Sequence, residues 1–194
     1  MSGWSGPQQR RREAESQAGG EHTHTSGEMH AATQIEIRRA GPEEAPAIST
    51  MLHESFAEFR ALYTEGGFSA TTPGPDQVLT RMHEGPVWVA LRRGTVLGTV
   101  AAVVKGDSVY IRGMAVHPSA RGSGCGARLL QHLEEWACSQ GCTRLFLSTT
   151  LFLDSAIRLY ERFGFHRTRD GIHDLFGTPL FTMEKFLSAP PEFI

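Results

Sequence analysis

Three strand-like runs follow one another with almost nothing between them, and this series of hairpins most limits the folds open to the chain. "VWVAL" (87–91) and "TVLGTVAAVV" (95–104) flank Arg93-Gly94, and "SVYIRGMAV" (108–116) follows a turn at Lys105-Gly106-Asp107. Connections this short dictate antiparallel pairing. Directly after Val116 the pattern changes. "HPSARGSGCGARLL" (117–130) places Gly122, Gly124 and Gly126 within five positions, then opens a helical stripe of Leu129, Leu130, Leu133, Trp136 and Ala137 that stops at Gly141. "RLFLSTT" reads as a buried strand, so this strand–helix–strand passage needs one parallel pair inside an otherwise antiparallel sheet.

The remaining segments extend that sheet. "QIEIRRA" alternates as a half-buried strand, and the following segment, with Pro42, Glu43 and Glu44 at its start, sets Ile48, Met51, Leu52, Phe56 and Phe59 on one helical face. "TEGGFSATTPGP" reads as a Gly-, Thr- and Pro-rich connection to a short helix around Asp76–His83. After "RLFLSTT", Asp154 or Ser155 caps a helix bearing Ile157, Tyr160 and Phe163, which Gly164 stops. "FHRTRDGIHDLFGTPLFTMEKF" supplies two final strands around a Gly/Pro loop. The expected fold is α/β (α+β): a mixed, mostly antiparallel central sheet of about seven strands with helices on both faces. Gly113, inside the third strand, predicts a bulge or a close backbone approach.

Residues 1–33 lack hydrophobic periodicity and read as a disordered tail preceding a domain over 34–194. Arg10–Arg12 and the histidines His22, His24 and His30 read as part of a flexible leader rather than as an interaction patch or metal site. The formal net charge of −2 points away from nucleic acid and from membrane surfaces. Three cysteines make no disulfide framework, and with no second Cys or His pair at ligand spacing no metal site is expected. The apolar run from Val96 to Val104 is far too short to cross a bilayer, and no apolar segment follows the N-terminal arginines. A cytoplasmic location is the expectation.

The glycine cluster carries the chemistry. A strand ending at Val116, a loop and a helix beginning near Gly124 leave main-chain N–H groups unpaired at the helix entrance, and these with the helix dipole form an anion site beside Arg121. A Gly-rich turn without a ligand is the plain alternative. A P-loop requires Gly-Lys-Ser/Thr, whereas this turn ends Gly126-Ala127-Arg128. Gly122, Gly124 and Ala127 meet the dinucleotide fingerprint formally, yet residues 140–150 contain no carboxylate to bind a ribose.

With Val116 and Pro118 before it, the turn at Arg121, Gly124 and Gly126 resembles the signature of the GNAT superfamily of acetyl-CoA-dependent N-acetyltransferases. A second motif of that family, Ala-x-x-x-Tyr followed by Gly-Phe, is matched by Ala156, Tyr160, Gly164 and Phe165 in "AIRLYERFGF". The resemblance covers roughly residues 34–187. It implies that the acetyl-CoA pyrophosphate lies on Arg121, Gly122, Ser123, Gly124, Cys125, Gly126 and Ala127, and that the pantetheine arm pairs with Met114, Ala115 and Val116. It further implies that the strand splays at Gly113, that an N–H there polarises the acetyl carbonyl, and that Tyr160 protonates the leaving thiolate.

Two positions depart from the family pattern. Leu153 stands where an Asn often contacts the pantetheine arm, and no glutamate accompanies Tyr110, Arg112 and Met114 on the strand. Glu54, Glu58, His117, His173 and Asp174 are the remaining base candidates, and Arg112 either meets an anionic group of the acceptor or pairs with a structural acid. Cys125 has its backbone, not its thiol, in the cradle. "EFRALYTEGGFSATTPGP" stands where the family frames its acceptor, as a lid or as a plain connection. The expected partner is a small-molecule or peptide amine, and family resemblance admits a homodimer. A non-catalytic acyl-CoA sensor on the same fold is the alternative function.

Overall fold

A run of apolar residues with only short hairpin turns between strands has to lie inside a sheet, and the computed structural model, which describes residues 34–187, places it there. The strands are β1 (Glu36–Arg39), β2 (Val87–Arg92), β3 (Thr95–Lys105), β4 (Ser108–Val116), β5 (Arg144–Thr149), β6 (His166–Leu175) and β7 (Thr178–Phe186). The helices are α1 (Ala45–Phe56), α2 (Glu65–Thr71), α3 (Pro75–Glu84), α4 (Cys125–Ser139) and α5 (Asp154–Arg162). One seven-stranded sheet runs β1-β2-β3-β4-β5-β7-β6. Every neighbouring pair is antiparallel except β4 and β5, which α4 joins as a parallel pair. The expected tail over 1–33, with its arginines and histidines, lies outside the described residues.

Two apolar layers cover the sheet. Ile48, Met51 and Leu52 of α1 and Val78 of α3 pack on Val87, Val89, Leu91, Ala101 and Ala115. On the other face Leu129, Leu130 and Leu133 of α4 and Tyr160 of α5 pack on Val100, Val109, Ile111, Leu145 and Leu147. Alternation along β4 therefore sends Val109 and Ile111 to the α4 side, and Tyr110 and Arg112 to the α1–α3 side. The three α4 leucines are at most 1% exposed, so truncating Leu133 to Ala should cost about 2–5 kcal/mol.

Three local expectations are corrected. "TEGGFSATTPGP" is not a bare connection: Glu65–Thr71 forms α2 in spite of Gly66 and Gly67. Thr64 caps it by accepting from Gly67 N, and Phe68 buries its ring edge-on to Tyr63 (centroids 6.1 Å apart), so capping and aromatic packing override low propensity. Neither Asp154 nor Ser155 caps α5. The cap position is Leu153, and Asp154 occupies the first turn, where its charge complements the helix dipole. Phe59 also leaves the α1 helix, because the chain tightens to a 3₁₀ segment over Ala57–Leu62.

Candidate active site

The sheet opens at the one place where its pairing is parallel. β4 and β5 pair from Ser108↔Arg144 to Ile111↔Leu147 and then separate, leaving Arg112–Val116 without a partner on that edge. On the opposite edge β3 passes from Thr99↔Ala115 to Ala101↔Arg112, so Gly113 and Met114 form a bulge. Gly113 sits at φ +59°, a conformation that side chains resist, and the resulting kink turns β4 away from β5. Met114, Ala115 and Val116 thus keep main-chain groups free on the vacated edge, which an amide-bearing extended ligand can pair with.

The glycine turn lies at the end of that edge. His117–Arg121 is tied by turn hydrogen bonds, Ala120 N to His117 O at 2.8 Å and Arg121 N to Pro118 O at 3.3 Å, and Ser123 N reaches Ala120 O. Beyond that, the N–H groups of Gly122, Gly124, Cys125, Gly126 and Ala127 meet no acceptor among the described residues. Five unpaired donors within six residues, at the start of a 15-residue helix, form an anion cradle. Gly126 is buried against α5, where a Cβ would stand 2.8 Å from Leu159 Cδ2 and close to Val116 and Met114. Any side chain there would wedge α4 from α5 and fill the space beside the cradle. Cys125 turns its thiol into the core, 1% exposed, where burial pushes its pKa up and keeps it a thiol rather than a nucleophile. Arg121 is committed elsewhere: its guanidinium pairs with Glu58 and donates to Ser55 O at 3.0 Å, which ties the turn to α1 and offsets its charge.

Tyr160 of α5 is buried in the core on the α4 side of the sheet. It is 6% exposed, with its ring 5.8 Å from Phe165, and burial raises its hydroxyl pKa far above the ordinary value. Tyr110 and Tyr63 add to that rise. Tyr63 is itself raised by burial, and its hydroxyl faces Thr150 and Thr71. On the α1–α3 side a second wall is built from aromatic rings: Tyr63 meets Phe152 at 4.8 Å and Phe68 packs against His53 at 5.5 Å. The β6–β7 turn closes onto it, Thr64 Oγ1 donating to Phe176 O at 2.6 Å and Thr178 Oγ1 accepting from Thr64 N at 3.1 Å.

The family model that matches residues 50–165, more than half of the chain, is that of the GNAT acetyltransferases. The chain belongs to the GNAT family. An uncharacterized N-acetyltransferase, YjgM, of Escherichia coli (strain K12) is 31% identical over 136 residues, which are 66% of this chain and 80% of that protein. An IAA acetyltransferase of Azospirillum brasilense is 38% identical over 40% of this chain and 52% of its own length. The fold is that of the ribosomal-protein-S18-alanine N-acetyltransferase of Escherichia coli, with a TM-score of 0.65 at 19% identity, covering 83% of this chain and 99% of that one. It is also that of the PaiA N-acetyltransferase of Thermoplasma acidophilum in complex with coenzyme A, with a TM-score of 0.67 at 18% identity over 80% of this chain and all of that one.

Within this GNAT domain the side chains proposed as bases have different surroundings. Glu58 is held by Arg121, and Glu54 receives His117 Nε2 at 3.2 Å while His117 Nδ1 accepts from Ser119 N. Asp174 accepts from Gly177 N at 2.9 Å inside the β6–β7 turn. His173 Nε2 lies 3.0 Å from Ser148 Oγ, at the end of β5 that diverges from β4. Arg112 pairs with Glu84, so a structural acid is present for it. Glu84, Arg81 and Phe152 were not singled out by sequence reasoning, because their relevance depends on tertiary approach rather than on spacing. A wide groove along α4, α5 and β7, lined by Glu134, Cys138 and Lys185, is remote from all of these groups, and its Lys185–Glu134 ion pair at 2.6 Å is satisfied. Among the described residues no group of three or more His, Cys, Asp or Glu is arranged to hold a metal, and no helix is long and apolar enough to cross a membrane.

Proposed function

We propose that the chain transfers an acetyl group from acetyl-CoA to a primary amine by direct attack in a ternary complex. The observation that carries this reading is the set of five unpartnered N–H groups at 122 and 124–127, opening beside a β4 edge that has lost its strand partner. The residues present suit that cosubstrate. Gly122, Ser123, Gly124, Cys125, Gly126 and Ala127 would hold its diphosphate through main-chain groups, with Arg121 bracing the turn through Glu58. Met114, Ala115 and Val116 would pair with its amide arm. Bound there, acetyl-CoA supplies an activated thioester acyl group.

The chain supplies the rest. A main-chain N–H beside the Gly113 bulge polarises the acyl oxygen. Tyr160 keeps its phenolic proton at neutral pH and donates it to the departing sulfur. His173, hydrogen-bonded at the open end of β5, is the base positioned to take the proton from the amine, directly or through water. The aromatic wall of Tyr63, Phe68 and Phe152 excludes water from the acceptor side. Leu153 brings no polar group toward the amide arm, which leaves that arm to the β4 edge.

Calorimetric titration with acetyl-CoA followed by thiol release from an amine panel tests the reading. Binding with acyl transfer that Tyr160→Phe suppresses supports it. Binding with no thiol release from any amine favours a non-catalytic acyl-CoA sensor, and absence of binding removes both.

A further inference from the structure

Several arginines of this domain face a carboxylate, among them Arg112 with Glu84, Arg121 with Glu58 and Arg144 with Glu184. Arg81 does not. Its Nη2 donates to Ala70 O at 2.8 Å, and no carboxylate of the described residues stands within ion-pair distance. Half-buried on α3, it feels both desolvation and the neighbouring Arg112 charge, which lower its pKa, while Glu84 offsets only part of this. Keeping a guanidinium in such a place is costly unless an anion completes it.

The position of that cation is informative. Its Nη1 lies 3.5 Å from where a Cβ on Gly113 would stand, so it borders the bulge at which β4 leaves β5. Arg112 adds a second spare donor, since its Nε is buried with no hydrogen-bond partner. Tyr110, on the same face of β4, is among the groups that sense the Arg81 charge. Two guanidiniums against one glutamate leave a single excess positive charge beside the reaction centre, which matches a monoanion, and a guanidinium fork suits a planar carboxylate.

Resting on the acetyl-transfer reading above, we infer that Arg81 binds the carboxylate of the acceptor, which is therefore an amino-acid-type molecule carrying amine and carboxylate on one short frame. In an α-amino acid a single carbon separates the two groups. With its carboxylate on Arg81 and the Arg112 Nε, its nitrogen is directed at the adjacent bulge, where the acyl carbon is presented. The guanidinium orients the nucleophile and rejects amines that leave it unpaired.

The test uses the full chain with acetyl-CoA and follows thiol release from the proteinogenic L-amino acids, their carboxamides, the corresponding decarboxylated amines and amines bearing a phosphate. The acids should exceed their carboxamides in kcat/KM by about tenfold or more, an advantage that resides mainly in KM. Arg81→Gln should bring the acid-to-amide ratio close to one, and Arg81→Lys should restore part of it. Equal use of acids and amides, preference for phosphorylated amines, or an Arg81→Gln variant that lowers both rates alike would overturn the inference. Calorimetry with acetyl-CoA alone separates the two levels. Failure of the wild-type chain to bind it sinks the transfer reading, whereas binding with turnover confined to amines lacking a carboxylate sinks only the role of Arg81.

Discussion

The two sides of the splay are built by different means. Toward α4 and α5 the site is made of backbone: the unpaired N–H groups of 122 and 124–127, the free edge of β4 and a glycine pressed against Leu159. Toward α1, α2 and α3 it is made of side chains: Tyr63, Phe68 and Phe152 packed edge-on, Arg81 beside the bulge, and the Thr64–Thr178 hydrogen bonds. A backbone site tolerates changes of side chain and recognises a constant ligand. A side-chain site can vary with the acceptor while the cofactor side stays the same.

The sharpest way to break this division is to change Tyr160. Tyr160→Phe should reduce kcat by about 10²–10³ while acetyl-CoA affinity holds, since only the leaving-group proton is lost. A variant with full turnover would detach Tyr160 from the mechanism. Next is Gly126→Val, which should weaken acetyl-CoA binding by about tenfold or more, because its branched side chain meets Leu159 and fills the space beside the cradle. Titration calorimetry reads this directly, and unaltered affinity would place the ligand elsewhere.

The acceptor side should respond in KM instead. Thr178→Val removes the acceptor for Thr64 N and one partner of Thr64 Oγ1, and should destabilise the fold by about 1–2 kcal/mol in denaturant melts while raising the acceptor KM. An equal loss of acetyl-CoA affinity would show that the two sides are not separable. The smallest effect lies at the base of α1, where Arg38 holds the Glu44 carboxyl below its usual range through hydrogen bonds of 2.7 and 2.8 Å. A lowered carboxyl pKa stabilises the fold above the unfolded value and loses that contribution as pH falls through the folded one. Glu44→Gln should therefore cost on the order of 1 kcal/mol at neutral pH and nothing at strongly acidic pH, with activity unaffected.

The same division explains what could be read before folding. The seven strands, the single parallel pair and the glycine-rich helix entrance were legible because glycines, hairpin turns and alternating apolar residues act through local geometry. Gly113 is the clearest instance: an isolated glycine in a strand predicted a bulge or a close backbone approach, and a bulge with φ +59° is found there. The helix over Glu65–Thr71 was hidden because its stability comes from Thr64 capping and from rings contributed by other segments. Arg81 carried no local signal at all. It sits on an ordinary helical repeat, and only the folded chain brings it to Gly113.

Amide hydrogen exchange, with and without saturating acetyl-CoA, reads the occupancy of these N–H groups residue by residue. Exchange should slow at Gly122 and at Gly124–Ala127, together with Met114–Val116, while the amides of α1 and α3 are little changed. Saturating acetyl-CoA that leaves the 122–127 amides exchanging at their free rate would contradict it.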